Sequence, residues 1–162
     1  MEKLKGILNL GMVVLFTLII VSGCKKDELT YTPEKEAAQM KTWLDAMVKN
    51  NVNIDTTSTG LYYIVDTPGS GPKVQEGDTV TVQYTGMFLD GTIFDSSSSF
   101  TYVHKAADQR MIQGWEEGIE VMNKGELAVF LVPSAKAYGN YGYSIIPPYT
   151  PLLFTISVVD IK

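Results

Sequence analysis

Residues 79–91 read TVTVQYTGMFLDG, and this stretch decides the architecture. Val80, Val82 and Tyr84 alternate with Thr79, Thr81 and Gln83. That is the period-two pattern of a strand with one face on a core and the other toward water. Asp90-Gly91 then supplies a turn. Working outward, glycine and proline clusters at 67–72, 76–78, 123–125 and 147–148 punctuate further strand-like runs at 61–65, 126–132 and 152–161. Within this part only 111–122 has helical spacing, with Trp115, Ile119 and Met122 on one face. The residues predict an α+β domain over 60–162, an antiparallel sheet of about five to six strands wrapped around one short α-helix. No internal repeat is present.

Upstream, 51–59 is polar and rich in threonine, a linker or an extended lead-in. Before it, Thr32 can cap a helix, Pro33 fits the first helical position, and Glu34 and Glu36 suit the positive end of the dipole. Met40, Trp43, Leu44, Met47 and Val48 form an apolar stripe on a helical extension over 33–50. Such a stripe serves either as a dimer seam or as a face docked on its own domain, so a monomer or a weak dimer is expected. The first residues carry Lys3 and Lys5 and then an apolar run over 7–21. This is short of the roughly 20 residues a spanning helix needs and suits a secretory signal. The run ends in Val21-Ser22-Gly23-Cys24, which looks like the lipobox of bacterial lipoproteins. That resemblance implies a signal peptide over 1–23, lipidation of Cys24, and a tether over 24–32. The chain would then be extracytoplasmic and lipid-anchored to a bacterial membrane, the outer one, on its periplasmic or surface side. Lys25-Lys26-Asp27-Glu28 suits a solvated tether, and equally resembles a run that some Gram-negative lipoproteins use for surface display.

The composition narrows the chemistry. The chain has 162 residues, 45% hydrophobic and 19% charged, an ordinary globular balance. Thirteen Lys and Arg against eighteen Asp and Glu give a formal charge of −5, which argues against nucleic acid as a partner. One Cys and one His leave no disulfide framework, zinc cluster or Cys–His pair. No glycine-rich phosphate loop follows a strand. Glu116 and Glu117 are adjacent on a helix, so their side chains diverge and are expected on a solvated face. No metal and no cofactor is expected; the chemistry must be something an apolar pocket can do.

Tyr84, Phe94, Tyr102, Trp115, Tyr138 and Phe154 lie near turns and element ends, a distribution that by itself fits a plain core. Their wording says more. Val82-Gln83-Tyr84-Thr85-Gly86-Met87, then Asp90-Gly91, then Phe94-Asp95-Ser96-Ser97 resembles the first half of an FKBP-type peptidyl-prolyl cis-trans isomerase. Ile112-Gln113-Gly114-Trp115-Glu116-Glu117-Gly118 resembles that family's helix. Ala137-Tyr138-Gly139, Ile145-Ile146-Pro147-Pro148 and Leu152-Leu153-Phe154 resemble its last loop and strand. The blocks keep the family's order and cover 60–162.

The resemblance implies a pocket with Trp115 as floor and Tyr84, Phe94 and Phe154 as walls. It implies that the Ile146 N–H and the Tyr138 hydroxyl hold substrate carbonyl oxygens, with Asp95 a fixed acceptor positioned by Tyr84. Tyr102, Met111 and Ile112 would contact substrate. The implied activity is rotation of X–Pro bonds in unfolded or exported polypeptides, with macrolide inhibitors as further ligands. A non-catalytic module of the same fold, holding chains without turning them over, is the alternative. The chain departs from the family pattern in three places. Phe100 competes with Tyr102 for the pocket edge, a serine-rich loop follows Asp95, and 140–144 is short, with Tyr141 and Tyr143 at the rim. His104 is expected in the sheet with a solvent-facing edge.

Overall fold

The computed structural model describes residues 31–108 and 111–162. The expected signal segment, Cys24 and most of the tether lie outside the described residues. Among those described, no helix is long and apolar enough to cross a membrane.

In chain order the elements are α1 (Pro33–Lys49), β1 (Asp55–Thr56), β2 (Tyr62–Thr67), β3 (Thr79–Phe88), β4 (Ile93–Val103), α2 (Gln113–Val121), β5 (Leu127–Val132) and β6 (Leu152–Ile161). A short 3-10 turn, Ser134–Lys136, follows β5. The strands form one sheet in the order β1-β2-β5-β6-β3-β4, every neighbour antiparallel. This is the α+β, helix-on-sheet architecture the alternation predicts. The expected lead-in contributes β1, and Thr57 and Thr59 just beyond it bond the Glu117 carboxylate.

The serine run after Asp95 is strand rather than loop. β4 runs unbroken from Ile93 to Val103, and pairing shifts from Val82↔Phe100 to Tyr84↔Ser97. The bulge absorbs an extra β4 residue while the ladder continues. Serine is a weak strand former by local preference, but pairing along the length of β3 overrides that.

Val80, Val82, Phe130, Val132, Ile156 and Val158 form the inner face of the sheet, closed by Trp115, Ile119 and Met122 from α2 and its C-terminal end. Each such side chain contributes about 1.5–3 kcal/mol of burial. The helix lies close because Gly114 and Gly118 face the sheet. A Cβ on Gly114 would stand 2.3 Å from Val132 Cγ1, and one on Gly118 would stand 3.0 Å from the Phe130 ring. The helix begins at Gln113 rather than 111, since Ile112 is extended (φ −61°, ψ 150°) and has no side chain to cap with. Glu116 reaches back instead, its Oε1 accepting from the Met111 N–H at 3.1 Å.

α1 forms as its start signals predict, with Thr32 Oγ1 accepting from the Lys35 N–H. Met40, Trp43, Leu44 and Met47 are half-buried, none fully, and Val48 stays exposed. The helix is latched by Glu36, whose carboxylate accepts from the Ser134 N–H (2.5 Å) and Oγ (2.6 Å).

Two expectations fail at the far side of α2. His104 is fully buried rather than solvent-edged, because the chain turns just past β4, with Lys105 at φ +58°, and tucks the ring under the helix. Its Nδ1 lies 2.7 Å from Glu116 Oε2 and its Nε2 3.5 Å from Glu120 Oε1, at angles poor for hydrogen bonds. Glu116 and Glu117 do diverge, but both are largely covered rather than on a solvated face: their side chains are 12% and 16% exposed. Glu117 bonds Lys136 Nζ at 2.6 Å.

Candidate functional site

The pocket is built around a missing side chain. On β3, Tyr84, Gly86 and Phe88 share one face. Gly86 pairs with Asp95 on one side and Phe154 on the other. A Cβ there would lie 2.7 Å from Phe94 Cζ and 3.0 Å from Phe154 Cε1. With glycine in that place, Phe94 leans across the strand and meets Phe154 edge-on, centroids 5.7 Å apart at 87°.

Trp115 of α2 closes the bottom and is only 2% exposed. Tyr84 meets it at 5.0 Å and 87°, Phe154 at 5.5 Å and 88°. Edge-to-face contacts of this kind add about 0.5–1.5 kcal/mol each to area burial and fix the rings relative to one another. Met111 and Ile112 enter from the turn before α2, and Tyr138 and Tyr143 from the β5–β6 connection. Together with Asp95 these residues line a cavity of about 300 Å³.

Tyr102 does not line it. Its ring is buried behind the indole, and its hydroxyl accepts from Trp115 Nε1 at 2.9 Å. Phe100 stacks on Tyr102 at 5.4 Å and stands edge-on to Trp115 at 6.3 Å, so neither residue forms the pocket edge. Tyr143 takes that place, its ring stacked on Tyr138 at 5.2 Å. The tyrosine-rich segment at 140–144 was the sequence signal for it.

Two polar groups stand at the wall. Tyr84 donates its hydroxyl to Asp95 Oδ2 at 2.7 Å, and the Ser96 N–H donates to Oδ1 at 2.9 Å, so the carboxylate is held at both oxygens. Burial, with the Asp95 hydrogen bond and charge added, drives the Tyr84 hydroxyl far above the ordinary tyrosine range, keeping it a donor. Burial likewise raises Tyr138. Its hydroxyl makes no hydrogen bond among the described residues.

Ile146 departs from its expected role. Its N–H donates to Tyr143 O at 2.8 Å, and the Tyr143 N–H returns a bond to Ile146 O at 2.8 Å. Gly142 (φ +69°) makes this tight loop feasible, since a Cβ there would lie 2.4 Å from Ile146 O. The Ile146 N–H is therefore satisfied within the protein, and its side chain is buried outside the lining.

A larger open basin of about 700 Å³ lies over the other side of α2, among Lys73, Lys105, Glu116, Glu117 and Glu120. Lys105 already pairs with Glu120, and Glu117 with Lys136. Among the described residues, the smaller cavity combines converging rings with a fixed carboxylate and a free hydroxyl.

Comparison with known proteins agrees with this geometry. A family model described as FKBP-type peptidyl-prolyl cis-trans isomerase matches residues 71–159. A probable FKBP-type peptidyl-prolyl cis-trans isomerase of Haemophilus influenzae is 29% identical over 146 residues, covering 90% of this chain and 59% of the relative. The outer membrane protein MIP of Legionella longbeachae is 35% identical over 133 residues, covering 79% and 57%. The crystal structure of FkpA from Escherichia coli superposes with a TM-score of 0.66 at 30% identity, covering 80% of this chain and 62% of that one. The chain thus spans little more than half the length of these curated relatives.

Proposed function

Because the chain belongs to the FKBP-type peptidyl-prolyl cis-trans isomerase family, we propose that its aromatic pocket accelerates rotation of X–Pro bonds in exported polypeptides, and that a lipid on Cys24 tethers it to a bacterial membrane. The observation that carries the catalytic reading is the indole floor of Trp115 ringed edge-on by Tyr84 and Phe154, with Phe94 against Phe154. A proline ring fits such a slot without needing any partner for a backbone N–H, which proline lacks.

A peptide bond resists rotation by about 18–20 kcal/mol because resonance gives it double-bond character. Resonance separates charge, so water favours the planar amide over the twisted one. A pocket walled by rings removes that water. The Tyr138 hydroxyl is a donor available to a carbonyl oxygen turned out of plane, whereas the Ile146 N–H is taken up by Tyr143. A donor fixed in advance stabilises the turned carbonyl without reorganising. Asp95, anchored by Tyr84 and Ser96, adds a fixed negative wall. No covalent bond forms and no proton moves. A millionfold acceleration requires about 8 kcal/mol from these effects together. Uncatalysed X–Pro exchange takes tens to hundreds of seconds, slow enough to limit folding.

The test is isomerisation of a short X-Pro peptide with an apolar residue before the proline, expected well above background. Phe94→Tyr and Asp95→Val each lower kcat/KM by about 10- to 100-fold, roughly 1.4–2.8 kcal/mol. Wild-type rates in both variants would remove the site assignment. Peptide binding without turnover in the unchanged chain would make the pocket a holding module. A macrolide inhibitor of the family is expected to compete with the peptide. The tether is read by mass spectrometry of Cys24 from the membrane fraction, where a lipidated cysteine is expected, and Cys24→Ser releases the chain.

A further inference from the structure

Beside the pocket lies a second cleft of about 370 Å³, formed where α1 crosses the domain. Tyr31 and Gln39 form one side; Phe88, Leu89, Ile145 and Pro147 form the other. The two concavities share a partition. Phe88 lines the cleft, Phe94 lines the pocket, and their rings pack at 5.3 Å. The same loop supplies Tyr143 to the pocket and Ile145 to the cleft, both exposed at 66% and 65%. Large apolar groups left open next to a binding pocket mark a surface for a partner.

Resting on the isomerase reading, we infer that this cleft is a second subsite for the same substrate chain, holding an apolar side chain two or three residues from the proline. An extended chain advances about 3.3 Å per residue, so that spacing carries a side chain past one pair of packed rings. The Glu36–Ser134 latch matters because it holds α1 in place as the far wall. The lining is mostly apolar, with Gln39, Asp90 and Thr150 as its polar members, whereas residues 25–30 read KKDELT and offer a single apolar side chain, Leu29.

The experiment compares labelled peptides in which Leu or Ser stands two or three residues from the proline, on each side in turn, binding to the full chain in detergent. Fluorescence anisotropy is expected to show about fivefold tighter binding for Leu than for Ser on one side of the proline, the gain from partly burying one such side chain. The double variant Tyr31→Ala, Ile145→Ser abolishes that difference, and Glu36→Ala reduces it. Turnover of a blocked tripeptide with proline in the middle, too short to reach the cleft, stays at the wild-type rate in all three proteins, which also reports an intact fold. Equal affinities for Leu and Ser, or a preference that survives the double variant, overturn the subsite. So does a concentration-dependent dimer whose formation abolishes the preference, which would give the cleft to a second copy. If the tripeptide is not turned over, the isomerase reading fails, while the anisotropy still decides the cleft.

Discussion

The indole N–H of Trp115 donates to the buried hydroxyl of Tyr102 at 2.9 Å, so the floor of the pocket is held from behind by a residue that never meets the cavity. Tyr102→Phe keeps the ring but leaves that N–H without an acceptor. A buried donor left unmade costs about 1–3 kcal/mol. Urea unfolding is expected to show a loss of that size, with peptide isomerisation falling less than in Asp95→Val. An unchanged midpoint would mean that the bond contributes nothing.

Gly86 makes the opposite kind of prediction. Alanine there meets Phe94 Cζ at 2.7 Å, so the ring must move out of its place against Phe154. Overpacking of this kind costs about 1–3 kcal/mol. The larger effect is expected on activity, a drop in kcat/KM of about tenfold or more, because the displaced ring is a pocket wall. A crystal structure of the variant with Phe94 unmoved would refute the account.

Glu117 contributes to the acid side of the stability curve. Burial pushes its carboxyl up, but hydrogen bonds from Lys136, Thr57 and Thr59 outweigh that and hold it below the ordinary value of 4.5. A carboxyl lowered in the folded state stabilises fully above its unfolded value, and that contribution is lost as the pH falls through the folded one. Glu117→Gln is therefore expected to cost about 1–3 kcal/mol at neutral pH and to flatten the decline below pH 4.5. Thermal melts at a series of pH values decide it; parallel curves for both proteins would show that the carboxylate is not the source.

The α1 stripe is half-covered by its own domain, which leaves little apolar area for a seam. Sedimentation on dilution is expected to show one concentration-independent monomer. A dimer that dissociates on dilution would restore the seam reading.

Local pattern was enough for the sheet, the helix and most of the pocket. Val80, Val82 and Tyr84 declare their face by alternation, and Trp115, Ile119 and Met122 declare theirs by helical spacing. The two glycines of Gly114-Trp115-Glu116-Glu117-Gly118 let the helix approach, which is why that string is informative. The family's wording then named Phe94, Asp95, Tyr138 and Phe154, all of which line one cavity.

Competition among groups distant in sequence decided the rest. Tyr102 lies behind the indole because Trp115 needs an acceptor there, and no local pattern records that need. The Ile146 N–H is unavailable because Tyr143 O lies across a tight loop, and Tyr143 consequently enters the pocket. His104, Glu116 and Glu117 read as surface residues along the chain, yet α2 closes over the end of β4, burying His104 and covering most of Glu116, while Thr57, Thr59 and Lys136 cover Glu117. Sequence by itself determined which faces are apolar, because side-chain period and chemistry are properties of the chain. Only the tertiary structure decided which polar group satisfies which, because a hydrogen bond goes to whichever partner the packing brings within about 3 Å.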